Sequence, residues 1–375
     1  MLLTLTTACT AAAQVRPASV SISDRGAAIT SNDGAYELRI RAVVQTDLRF
    51  FADDEHKLTD QFLFRRARLY VEGKVARVVT FRVMPDFAEG RTVLYDAWFD
   101  VRANDALRLR VGKAKPPFAL ERLQNDAAIV FGERAYPTAL APNRDLGVEL
   151  HGDLWTGILG YSVGVFNGVP DNGISEGDLD DSKEVAARVE VGPFARTREK
   201  AARGLRLGFA ITRGEKTGTA TSPYLAGYRT FGQNTLFSYL QDTAAGAPAA
   251  GTSVAAGLHD SAWNATASLL VTGEDAAFDG PILTRPFDVD QGHIGAVEIA
   301  VRATELHLDG RAFSQLADPT KSARDAFEVA AGLNWYPMAQ LKIVADFART
   351  TFLSGAVRGA RDVENVALFR TQLAF

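Results

Sequence analysis

At 375 residues, with 47% hydrophobic and 23% charged side chains, the chain is long enough for two or three soluble domains or for one large β-architecture. No stretch approaches the roughly 18 uninterrupted apolar residues that a membrane-spanning helix needs, which excludes a helical membrane protein. A net charge of −4 gives no bulk attraction to DNA or RNA, so no nucleic acid is expected as a partner.

In chain order, the opening MLLTLTTACTAAAQ has the apolar run and small-residue cleavage pattern of a secretory signal. Residues 1–14 are expected to be a signal peptide, 15–34 a short N-terminal segment and 35–375 the folded unit. The single cysteine, Cys9, falls inside that opening, which leaves the rest of the chain without thiol chemistry. From 36 to 51 the period is two: Tyr36, Leu38, Ile40, Ala42, Val44, Leu48 and Phe50 fall on one face, and Glu37, Arg39, Arg41, Gln45, Asp47 and Arg49 on the other. Segment 64–75 repeats the pattern, with Ala67, Leu69, Val71 and Val75 opposite Arg66, Arg68, Tyr70, Glu72 and Lys74. Further alternating segments follow at 78–84, 92–102, 106–113, 145–152, 155–167, 183–192 and 204–213, each closed by Gly, Asp, Asn or Pro. After an Ala/Gly/Thr-rich stretch at 241–257 that blurs the count, the pattern resumes at 295–308, 326–336, 340–352 and 364–375.

Alternation alone also fits a soluble sandwich or propeller. Three features favour a transmembrane antiparallel β-barrel of about sixteen strands. The segments match the 9–11 tilted residues that cross a bilayer, whereas soluble strands average five or six. Aromatics cluster near strand ends (Tyr36 and Phe50, Tyr95 and Phe99, Tyr161 and Phe166, Trp335 and Tyr336, Phe347 and Phe352), as in interfacial girdles. The final amphipathic segment ends on Phe375, which resembles the signal recognised in outer-membrane barrel assembly.

The blocks FRRARLYVEGKV (64–75), RLRVGKAKPPFALERL (108–123), VFGERAYPTALAPNRDLGVEL (130–150), YSVGVFNGVPDN (161–172), LLVTGED (269–275), GAVEIAVRATELHLD (295–309) and GLNWYP (332–337) resemble, in order, the phosphate- and polyphosphate-selective porins of the O/P type. The resemblance implies a 16-stranded, usually trimeric barrel in the bacterial outer membrane, with one loop folded inward to narrow a water-filled channel. The connection 114–144 is the candidate for that constriction loop. The implied partners are small anionic solutes such as phosphate or polyphosphate, outer-membrane lipid and further copies of the chain in a homotrimer. No cofactor is expected.

Extending the alternation places Arg39, Arg41, Arg49, Arg66, Arg68, Lys74, Arg82, Arg108, Arg110, Arg188, Arg206, Arg302, Lys342 and Arg370 on the lumen face. Asp47, Glu72, Asp96, Asp100, Glu184, Glu190, Glu298 and Asp346 stand opposite them. The basic residues are concentrated in the first five strands, so one wall should be positive although the chain is slightly acidic. Arginine suits such a wall because it stays charged and presents a fork of donors to phosphate or carboxylate. The resemblance adds residue roles. Arg65 and Arg66 stand where the family presents arginines to the constriction, and a regular strand turns in only Arg66 and Arg68, so Arg65 requires a bulge. Asp96 stands where the family carries a carboxylate that orients a basic neighbour, and Lys113 or Lys115 where it carries a constriction lysine. The predicted pore-lining, anion-binding set is thus Arg39, Arg41, Arg66, Arg68, Tyr70, Lys74, Asp96, Arg108, Arg110, Lys113 and Lys115. An enzyme is not expected: the histidines are scattered, and Asp96 and Asp100 lie about 13 Å apart along a strand, too far for a retaining acid/base pair. A general, weakly selective porin and a plugged barrel with a structural role are the alternatives.

Overall fold

The computed structural model describes residues 18–52, 58–174, 181–214, 227–239, 259–315, 317, 322–353 and 361–375. An N-terminal hairpin, β1 (Ser19–Ser23) and β2 (Gly26–Thr30), precedes the long strands β3 (Glu37–Ala52), β4 (Gln61–Val75), β5 (Val79–Asp86), β6 (Val93–Asn104) and β7 (Leu107–Ala114). Then come β8 (Asp145–Leu154), β9 (Leu159–Phe166), β10 (Glu184–Val191), β11 (Leu207–Arg213) and a short pair, β12 (Tyr228–Arg229) and β13 (Thr235–Phe237). The chain finishes with β14 (Ser261–Leu270), β15 (Ala296–His307), β16 (Asp325–Met338), β17 (Leu341–Leu353) and β18 (Glu364–Ala374).

All but the short pair belong to one antiparallel sheet of sixteen strands, the number expected, with fourteen described strands in the wall and β1 and β2, from the 15–34 segment, beside it. β3 to β11 pair each with the next, β14 to β18 do the same, and β18 pairs with β3, joining the two ends of the chain from Asn365↔Ala52 to Ala374↔Val43. β1 and β2 branch off β3 through Ala27–Thr30. The stretch 241–257 lies outside the described residues. The segment expected at 155–167 starts late because Trp155 and Thr156 adopt left-handed φ of 53° and 59° in a tight turn.

The alternation fixes two faces. On β3, Gln45, Asp47 and Arg49 are buried inside while Leu38, Ile40, Val44 and Phe50 are exposed outside. Outward apolar residues stay exposed around the sheet, Phe64 and Val301 each at 60%, which is the arrangement of a wall facing lipid. Four of the ten expected girdle aromatics are not on that face. Phe166 and Phe352 are buried, Tyr336 gives its hydroxyl to Glu298 (2.8 Å), and Tyr95 packs under two guanidiniums.

Two β-bulges re-aim side chains. Gln45 pairs with Arg66 but Thr46 with Phe64, so Arg65 is the extra residue. Met84 pairs with Asp96 but Pro85 with Leu94, so Tyr95 is the extra residue of β6. Each strand thereby presents two consecutive side chains inward. β7 carries a further tight spot at Gly112, whose φ of +123° suits glycine alone. A Cβ there would lie 2.3 Å from the Ala97 carbonyl oxygen. Gly112→Ala should cost about 1–3 kcal/mol and lower the unfolding temperature of the detergent-solubilised barrel. An unchanged heat-modifiability gel would refute this.

The connection between β7 and β8 folds inside the sheet, as expected of 114–144, and lies against one side of it. Lys342 Nζ donates to the Ile129 carbonyl (2.8 Å), Asn334 Nδ2 to Val130 (2.9 Å), Arg302 Nη1 to Glu133 (2.7 Å) and Gln372 Nε2 to Ala127 (3.0 Å). The Gly132 N–H donates to Asp346 Oδ2 at 2.6 Å. Small residues make the room: Phe131 packs on Ala300, Ala330 and Ala348, and a Cβ on Gly332 would meet its ring at 3.0 Å. Residues 227–239 fill the same side, where Tyr228, Leu236 and Phe237 cluster with Tyr136 and Leu306. The free space is therefore displaced toward β3–β7.

Candidate functional site: an arginine-lined waist

Two chambers meet inside the wall. The one toward the long connections, about 260 Å³, is lined by Arg65, Arg66 and Arg68 from β4 and by Arg122, Arg134 and Arg144 from the inward loop. The other, about 910 Å³, lies toward the short turns and is lined by Arg39, Arg41, Tyr70, Arg82, Trp98, Arg110 and Lys115. Asp126 and Arg144 line both, which locates the waist.

The waist is built by carboxylates that the loop pushes into arginine clusters on the wall. Asp126 pairs with Arg68 and Arg134, with Arg66 at 3.6 Å and Arg144 at 3.9 Å. Glu133 accepts from Arg65 Nε (2.6 Å) and Arg49 Nη2 (2.8 Å), with Arg370 at 3.5 Å. The bulge is what allows Arg65 to reach it. Burial alone would raise both carboxyls, but the guanidiniums of Arg134, Arg68 and Arg66 hold Asp126 well below the usual carboxylate range, and Arg65 and Arg49 do the same for Glu133. A depressed folded pKa keeps its stabilisation at all pH values above the unfolded one, about 4, and loses it only as pH falls through the lower folded value. The loop should therefore stay docked in mild acid, with no stepwise gain in single-channel conductance between about pH 7 and 5; a jump in that window would show that these carboxylates protonate there.

Among the lining residues, cations outnumber carboxylates. Eight arginines line the smaller chamber against four carboxylates, and eight basic residues line the larger against five. Arg122, on a single helical turn (Leu120–Leu123), is only 5% exposed and has no carboxylate within ion-pair reach among the described residues. It donates to the Thr138 carbonyl (2.8 Å) and Asn172 Oδ1 (2.6 Å). Burial, with Arg134 and Arg144 nearby, pulls its pKa well below the usual guanidinium range.

Of the residues singled out from sequence, Arg66, Arg68 and Asp96 come together here: Asp96 accepts from Arg144 Nε at 3.0 Å, and Arg68 and Arg144 stack on Tyr95 at 4.3 and 5.0 Å. Arg41, Tyr70 and Arg110 lie in the larger chamber, where Arg110 bridges Asp100 and Glu149, both at 3.2 Å. Arg39 is there too, paired to Glu37 at 2.7 Å. Lys115 donates to the Leu123 and Gln124 carbonyls and braces the loop. Lys74, Arg108 and Lys113 line neither chamber: Lys74 pairs with Glu37 (3.6 Å), Arg108 with Asp105 (3.2 Å), and Lys113 is buried beside Ala97 and Leu146. His151 is a wall residue, 2.6 Å from Asp100. Alternation does not find Arg122, Asp126, Arg134 or Arg144, because a loop has no period; the charged run inside the 108–150 blocks was the available signal.

The model of the family described as phosphate-selective porin O and P matches residues 37–220 and 244–375. Among solved structures, OprB of Pseudomonas putida aligns at 12% identity over 92% of this chain and 95% of its own, with a TM-score of 0.52. The outer-membrane channel DcaP of Acinetobacter baumannii aligns at 10% identity over 92% and 99%, with a TM-score of 0.46. No curated protein sequence matches the chain.

Proposed function

Because this chain belongs to the family of phosphate-selective porins O and P, channels of the bacterial outer membrane that pass solutes by diffusion, we propose that its passage prefers small anions, with phosphate or polyphosphate as candidate solutes. The observation that carries this is the excess of guanidinium over carboxylate on both sides of the waist. In a narrow, partly dehydrated passage such an excess lowers the barrier for anions and raises it for cations. Arg66, Arg68, Arg122 and Arg144 form the selective step, while Arg41, Arg82 and Arg110 line the way to the short-turn mouth, which is periplasmic in such barrels. We take the working unit to be a homotrimer. No catalytic role is assigned to the waist, since Asp96 and Asp100 are each engaged by a basic neighbour.

A second reading has support in the same geometry: Asp126 and Glu133 neutralise part of the cluster, which would leave a transverse field with weak selectivity. Planar-bilayer recording separates the two. Under a KCl gradient the reversal potential should lie on the chloride side, and added phosphate should reduce chloride current. A reversal potential on the potassium side would overturn the anion preference, and undiminished chloride current would remove phosphate as its solute.

A further inference from the structure

The arginines of the larger chamber do not stand alone. Arg41 lies over the ring of Tyr70 (5.5 Å), Arg82 over both Tyr70 (5.6 Å) and Trp98 (5.4 Å), and Arg110 over Trp98 (4.8 Å). These five side chains come from five successive strands, β3 to β7. Arg41 pairs directly with Tyr70 and Arg82 with Trp98, so register itself sets the order cation, ring, cation, ring, cation. At ~4.8 Å between strands the belt spans roughly 19 Å of wall.

Two properties of the belt point to its ligand. Glu72, Asp100 and Glu149 occupy some edges of these guanidiniums, yet Arg41, Arg82 and Arg110 keep 28%, 31% and 26% of their side chains exposed, so charge and donors still face the chamber. The partly exposed Trp98 ring adds a flat, polarisable surface that a tetrahedral anion cannot use, while the buried Tyr70 ring backs Arg41 and Arg82. Phosphate gains from the charge alone, whereas a planar anion gains from the charge and from stacking on a ring or guanidinium face. The chamber, about 910 Å³, has room for a ring and its carboxylate.

We propose that the Arg41–Tyr70–Arg82–Trp98–Arg110 belt is a binding surface for planar aromatic carboxylates, which the channel admits in preference to saturated carboxylates of the same size. This rests on the anion preference proposed above and adds a substrate class to it.

The test uses the full chain in a planar bilayer and compares block of chloride current by benzoate, cyclohexanecarboxylate and inorganic phosphate. Benzoate should half-block at a concentration roughly threefold to tenfold below cyclohexanecarboxylate, the size expected of one stacking contact. In Trp98→Leu that ratio should fall toward one, while Phe99→Leu, on the outward face, should leave it as it is. Equal block by the two carboxylates in the unmodified channel overturns the proposal without need of a variant, and so does a ratio that survives Trp98→Leu. Failure of the underlying anion preference is read separately, from the sign of the reversal potential in KCl alone.

Discussion

Glu133→Gln should convert a quiet, narrow channel into a wider and noisier one. The carboxylate is the only group within ion-pair reach that joins the loop to Arg49, Arg65 and Arg370 among the described residues. Arg49 and Arg370 retain Asp47, but Arg65 is left with Glu89 at 3.4 Å. Removing one partner of such a buried cluster typically costs about 3–5 kcal/mol, because the remaining charge is stranded. That is comparable to what a handful of backbone hydrogen bonds to the wall can hold, at about 1 kcal/mol each. The loop should therefore visit undocked positions, seen as higher single-channel conductance with flicker, while the strands keep the barrel folded. Conductance and noise equal to those of the unmodified channel would show that the Asp126 pair with Arg68 and the hydrogen bonds to Lys342, Asn334, Arg302, Gln372 and Asp346 suffice to hold it.

The second large effect concerns charge. Arg66→Gln combined with Arg68→Gln should reduce the ratio of anion to cation permeability roughly thirtyfold, because each lost charge both raises the energy of the anion and lowers that of the cation. Two charges about 8 Å from an ion in a water-filled passage contribute about 0.5 kcal/mol each. Asp126 would keep Arg134 and Arg144 as partners within the loop, and Glu133 would still tie the loop to Arg49 and Arg65 of the wall. Glutamine is chosen over glutamate, which would stand a carboxylate beside Asp126 and Asp86. A permeability ratio that does not move would remove both arginines from the selective step.

The wall was largely readable before any coordinates. A strand with one face in lipid and one in water has to alternate, and residues 36–51 do so with almost no exception, which is why β3 and its inward set follow from sequence. The inward loop was readable as an over-long gap between alternating segments. Its chemistry was not: Asp126 acquires meaning only from Arg66 and Arg68 across the lumen, and Arg144 only from Asp96 and Tyr95. The bulges were equally hidden, since an extra residue at Arg65 or Tyr95 shifts parity without leaving a mark in composition. The aromatic girdle held only in part, for a related reason. Tyr336 and Phe352 sit near strand ends, but parity, not position along the strand, decides whether a ring meets lipid or lumen.

The extra residue in β4 also sets how densely charge can be arranged. Along a regular zigzag, side chains on one side recur about every 6.6 Å, twice the rise per residue. Arg65 and Arg66 break that spacing, and with Arg68 they set three guanidiniums on one strand where an unbroken zigzag allows two. Deleting Arg65 would thus do more than subtract one cation: it would restore an ordinary ladder beside β3 and dilute the positive field where the passage is narrowest.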